Sequence, residues 1–118
     1  MIQELDIPGL ARRDRITCAL IARYHTKALP DASRHKRFAA LGNGRREVVE
    51  WLAGILRVAD GLDCKHANTI RRLECAVNGK AIKIRLRVAG DCRMEVARAV
   101  QKQALLLKKT ERAVEYLC

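Results

Sequence analysis

The apolar residues change their period once along this chain, just past His66, and that change limits the folds open to it. Before it they recur every three or four residues, as on one face of a helix; beyond it, "RRLECAV" and "AIKIRLRV" alternate, as on a half-covered strand. A helical period followed by an alternating one predicts an α+β fold. The helical part covers residues 1–66 and a small β-β-α-β lobe covers 67–118.

Three helices are expected in the first part. Ile16, Leu20 and Tyr24, with Ile21 alongside, mark one from Leu10 to about Lys27, stopped before Pro30. Ser33 is a candidate N-cap for a short helix through Leu41, and Gly42 to Gly44 end it. "RREVVEWLAGILRVADGLD" gives the longest, from about Arg45 to Leu62. At 100° per residue its Val49, Leu52, Leu56, Ala59, Ile55 and Leu62 form one apolar arc. Asp63 falls inside that arc and Asp60 at its edge. A carboxylate on a buried stripe needs a cation, a metal or several donors, so Asp63 is expected to have such a partner.

In the second part Asn78-Gly79 suits a two-residue hairpin turn, which sets Cys75 opposite Ile82, Leu73 opposite Ile84, Glu74 opposite Lys83 and Arg72 opposite Arg85. Like charges face to face are unfavourable unless an anion or solvent relieves them. Arg72, Arg85 and Arg87 are therefore candidate anion contacts, the alternative being a solvated basic face. Asp91 can cap a helix from about Arg93 to Lys108 with Val96, Val100, Ala104 and Leu107 inward, and "AVEYLC" supplies a third strand.

The chain carries 24 Lys and Arg against 13 Asp and Glu. Residues 64–118 hold 13 of the bases and 5 of the acids, so most of the +11 net charge lies there. That asymmetry calls for a polyanion. Tyr24, Phe38, Trp51 and Tyr116 stand singly, without the ring-and-base interleaving of a base-stacking surface. No Gly-rich phosphate loop is present. "GNG" before Arg45 and Arg46 is a helix cap, or a helix N-terminus that receives a phosphate oxygen. No catalytic Ser/His/Asp set and no closed metal set can be assembled: Asp63 and His66 supply only two ligands. Five cysteines without a close pair point to reduced thiols in a cytoplasm, with Cys18 and Cys75 as small buried apolar residues. No segment has the length and apolarity of a membrane span.

"IARYHTKALP", then Phe38 and Leu41, then "VVEWLAGILRVADGLDCKH" and "VAGDCRME" resemble the C-terminal region of the exopolyphosphatase/guanosine pentaphosphate phosphohydrolase family. The resemblance covers most of the chain, with Thr26 and Cys64 where the family often has Arg. It implies that the helical part is the second half of an HD-like domain and the rest a small terminal lobe. It also implies N-terminal ATPase-like domains that carry the hydrolytic site and magnesium, so this chain looks like a C-terminal fragment with no catalytic residue, metal or cofactor of its own. Asp60 is similar in position to the last acid of an HD metal set. With the other ligands missing, Asp60 and Asp63 are expected in a structural network with Arg23, His25 and Lys27.

The expected function is to bind or guide polyphosphate, or guanosine pentaphosphate, while the ATPase-like domains cleave it. The contacts are Lys27, Arg45, Arg46, Lys65, Arg72, Arg85 and Arg87. A basic nucleic-acid module, an autonomous HD-type guanosine polyphosphate phosphohydrolase and a docking domain are the alternatives. Apolar surface on the first helix is expected to favour a homodimer.

Overall fold

A computed structural model describes residues 8–26 and 28–118. The architecture is α+β, with helices first and a three-stranded sheet with two helices after it: α1 Arg12–Tyr24, α2 Lys36–Ala39, α3 Asn43–Leu62, β1 Ile70–Val77, β2 Ala81–Val88, α4 Arg93–Lys102, α5 Ala104–Thr110 and β3 Ala113–Leu117. The chain divides into two compact units, Met1–Ala53 and Gly54–Cys118, so α3 contributes to both.

In the first unit Tyr24 is completely buried. Its hydroxyl hydrogen-bonds His35 Nδ1 at 2.8 Å, its ring stacks on His35 at 5.4 Å, and Phe38 meets it edge-on at 5.7 Å. That cluster fixes where the short helix begins. His35, not Ser33, is the N-cap of α2, because Ser33 is already used in a turn in which Asp31 Oδ1 accepts from its amide and its hydroxyl. Those two bonds hold the Asp31 carboxyl below its ordinary range.

The second unit is built around β2, which pairs antiparallel with β1 and parallel with β3. Ile84 and Leu86 of β2 pack with Val58 and Leu62 of α3, Ala99 of α4 and Leu106 of α5, and Ile70, Ile82, Val88, Val96, Val114 and Tyr116 lean on that core. Gly61 makes this packing close: a Cβ there would stand 2.7 Å from the Ala99 amide nitrogen and 2.8 Å from its Cα. Gly90, at φ +106°, turns the chain from β2 toward α4.

Several sequence expectations are corrected. The hairpin turns on Gly79-Lys80, one residue later than expected, because the Asn78 side chain accepts from the amides of Lys80 and Ala81 and closes the turn itself. Facing pairs shift accordingly: Cys75 meets Ile84, Leu73 meets Leu86, Glu74 meets Arg85 and Arg72 meets Arg87. The shift is an even number of residues, so each side chain keeps its face. The single expected helix from Arg93 breaks at Gln103, whose Oε1 accepts from the Tyr116 hydroxyl at 2.9 Å. Inward positions are Glu95, Ala99, Leu105 and Leu106, while Val100 is exposed.

Cys92 and Cys118 form a disulfide, tying the N-cap of α4 to the residue after β3, where reduced thiols were expected. Their 26-residue separation hides the pairing from a reading of cysteine spacing. Cys18 and Cys75 are exposed rather than buried. Among the helices of the first part the large exposed apolar residues lie not on α1 but on α3, at Val48, Trp51, Leu52, Ile55 and Leu56; that helix buries Val49 and Ala53 in the first unit and Val58 and Leu62 in the second. Among the described residues no helix is long and apolar enough to cross a membrane.

Gly61→Ala is expected to lower stability by about 1–3 kcal/mol in denaturant titrations, since overpacking against backbone outweighs the gain in helix propensity. Gly44→Ala, with open space at its Cβ, should be neutral or slightly stabilising. Burial raises the Tyr116 phenol from 10.0 to about 12. The neutral form is favoured in the folded protein, so this contribution is complete below pH 10 and is lost as pH rises toward 12. Stability measured across that window should fall less steeply in Tyr116→Phe than in the parent.

Candidate polyanion-binding surface

Alternation along β2 sends Ile82, Ile84, Leu86 and Val88 to the helix side and Lys83, Arg85 and Arg87 to the open side of the sheet. Pairing adds Arg72 and Glu74 from β1 and Glu115 from β3 to that open face. Glu74 lies opposite Arg85 and Glu115 opposite Lys83, so the acids stand toward one end of the face. At the other end Arg72 faces Arg87 directly.

A β-bulge between Ile70 and Arg72 borders that end. Ile70 pairs with Val88 and packs toward the core, whereas Arg72 pairs with Arg87, so Arg71 is the extra residue. Without it, strict alternation would put Ile70 on the open side with Arg72. Arg72 Nε is 3.7 Å from Glu74 Oε1, a loose exposed contact. The side chains of Arg71, Arg85 and Arg87 have no hydrogen-bond or ion-pair partner among the described residues. Arg71 escaped the sequence reading because a bulge leaves no mark in the alternation except the doubled arginine.

The open face carries a small, half-open depression. It lies beside Glu74, Ala76, Lys83, Arg85 and Leu117 and holds about 190 Å³, below the usual size of a pocket for a nucleotide-sized ligand. No aromatic ring lies among those residues. Unpaired guanidiniums on an open face suit a chain of phosphates contacted one by one.

The other sequence candidates are placed elsewhere. Arg45 Nη1 donates to Asp14 Oδ1 at 2.8 Å and Thr17 Oγ1 at 3.2 Å, bracing α1 against α3 in the first unit. Arg46 donates to Asn43 Oδ1 within the first turn of α3. Lys65 Nζ lies 3.3 Å from Oε1 of Glu95, whose side chain is 1% exposed, so this ammonium balances a buried acid. Lys27 lies outside the described residues.

The acids are also resolved one by one. α3 ends at Leu62, so Asp63 lies past the apolar stripe; its side chain is 61% exposed, with His66 Nδ1 at 3.2 Å. The burial expected of Asp63 came from extending helical periodicity beyond the helix. Asp60 accepts from Lys102 Nζ of α4. In the first unit the Arg23 guanidinium lies 5.6 Å from the Tyr24 ring centroid, and the His25 ring donates to the Ala22 carbonyl. Among the described residues no group of three or more His, Cys, Asp or Glu is placed to hold a metal ion.

No protein-family model matches the chain, and neither does any curated protein.

Asp63→Ala should change stability by less than about 0.5 kcal/mol, as expected for an exposed site. A thermal or denaturant melt checks this, and a large loss would return Asp63 to the interior.

Proposed function

We propose that this chain is a non-catalytic polyanion-binding module of the exopolyphosphatase type, which holds inorganic polyphosphate on the open face of its sheet while ATPase-like domains elsewhere cleave terminal phosphates with magnesium. The observation that carries the reading is the group Arg71, Arg72, Arg85 and Arg87, gathered by the hairpin and its bulge with one loose acid contact among them. Two like charges held opposite each other cost stability unless an anion relieves them, so a bound phosphate gains both its own contacts and that relief. The resemblance of "ARYHTKALP" and "LRVADGLDCKH" to the family supplies the identity of the anion.

The small size of the depression and the lack of rings in it favour a phosphate chain over guanosine pentaphosphate or a stacked single strand of RNA. Same-face arginines two residues apart on β2 are roughly 7 Å apart, so a linear anion can meet both without one registered position. Three free thiols suit a reducing cytoplasm, and the Cys92–Cys118 bond is the observation against that setting.

The test is a salt titration of labelled long-chain polyphosphate binding, with matched RNA as competitor and a magnesium-supplemented hydrolysis assay on the same sample. Polyphosphate should bind, resist displacement by RNA and remain uncleaved. Arg72→Gln/Arg85→Gln/Arg87→Gln should weaken binding at least about tenfold at low salt and flatten the salt dependence, while the melting temperature stays level or rises. Displacement by RNA would turn the reading toward nucleic-acid backbone contact, and unchanged affinity in the variant would move the site off the sheet.

A further inference from the structure

The free edge of β1 carries a second surface, independent of the arginine face. Asn78 N–H donates to the Ala81 carbonyl at 3.0 Å, which marks that facing pair as hydrogen-bonded. Because such pairs alternate along an antiparallel ladder, Ala76, Glu74 and Arg72 also turn their backbone groups toward β2. Leu73, Cys75 and Val77 therefore present their N–H and C=O groups to the open edge, where β1 has no neighbour among the described residues.

The same three residues share the helix side of the sheet with Leu86, Ile84 and Ile82, but the helix layer does not cover them. Leu73 is 49% exposed and Val77 63%, and Cys75 is exposed, whereas Ile84 and Leu86 are buried. An unpaired edge combined with an apolar ladder beside it is a template for another strand.

The strand is complementary to itself in one register. We propose that β1 pairs antiparallel with β1 of a second copy, centred on Cys75, joining two three-stranded sheets into one. Leu73 then lies opposite the partner's Val77, Cys75 opposite the partner's Cys75, and Val77 opposite the partner's Leu73, all through edge groups that now have no bond. On the open face Glu74 meets the partner's Ala76 and Arg72 the partner's Asn78, so no like charges are opposed. Centring on Glu74 would set two carboxylates face to face. Centring on Leu73 would run the ladder into the bulge at Arg71. Centring on Cys75 meets neither objection and pairs the whole segment from Arg72 to Asn78, and the two-fold axis closes the assembly at two copies.

Sedimentation velocity across a concentration series reads the association directly. The parent chain should form dimers, and Leu73→Lys/Val77→Lys, at positions already exposed, should weaken association at least about tenfold while circular dichroism stays unchanged. In a Cys18→Ser/Cys64→Ser background a short bis-maleimide should link the dimer through Cys75, and adding Cys75→Ser should abolish the link. A parent that stays monomeric, a dimer indifferent to the two lysines, or a dimer that cannot be linked at Cys75 would each overturn the proposal. None of these readouts involves polyphosphate, so the edge and the arginine face stand or fall separately.

Discussion

With only Gly61 able to bring α3 within backbone distance of Ala99, the two helices meet without side chains between them, and the rest of the second unit is arranged around that contact. It sets α3 and α4 close enough for Val58, Leu62 and Ala99 to share one core with Ile84 and Leu86 of β2. The helix layer covers the middle strand and leaves Leu73 and Val77 of β1 exposed. Among the described residues no helix of this unit covers the other side of the sheet, and charged side chains alternate there because water has to be met on that side.

The period change at His66 made the fold class legible, and each strand's faces were legible for a related reason. A register error of an even number of residues exchanges partners but not faces, so Arg72, Arg85 and Arg87 were gathered correctly even though the turn was placed one residue early. Errors arose where one element's pattern was carried past its end. Asp63 seemed buried because helical spacing was extended beyond Leu62, and the helix from Arg93 seemed continuous because nothing in "QKQALLL" marks the break at Gln103. Cys92 and Cys118 were invisible as a pair, since only the return of β3 alongside β2 brings the chain's last residue back toward the start of α4.

Charge has two uses in this unit, and burial separates them. Lys65 beside Glu95 and Lys102 beside Asp60 neutralise acids that the packing of α4 brings to the interior or its margin. Removing such a cation leaves an acid uncompensated, so those lysines belong to stability first. The guanidiniums at the bulge oppose one another in the open. Their arrangement is mildly unfavourable to the isolated fold, and that is the electrostatic condition under which an anion binds by relieving strain as well as by attraction.

The bulge at Arg71 serves both surfaces. By adding one residue to β1 just past Arg72 it returns Ile70 to the core beside the arginine end of the open face. The same extra residue interrupts the outer edge of β1 and limits regular pairing there to the segment between the bulge and the Asn78 turn. An edge that short, with Arg71 and Arg72 at one end and Lys80 at the other, resists open-ended strand addition, because a strand sliding along it meets charge or irregular backbone within a few residues. One local irregularity thus separates a surface suited to an extended anion from an edge suited to a single matching strand.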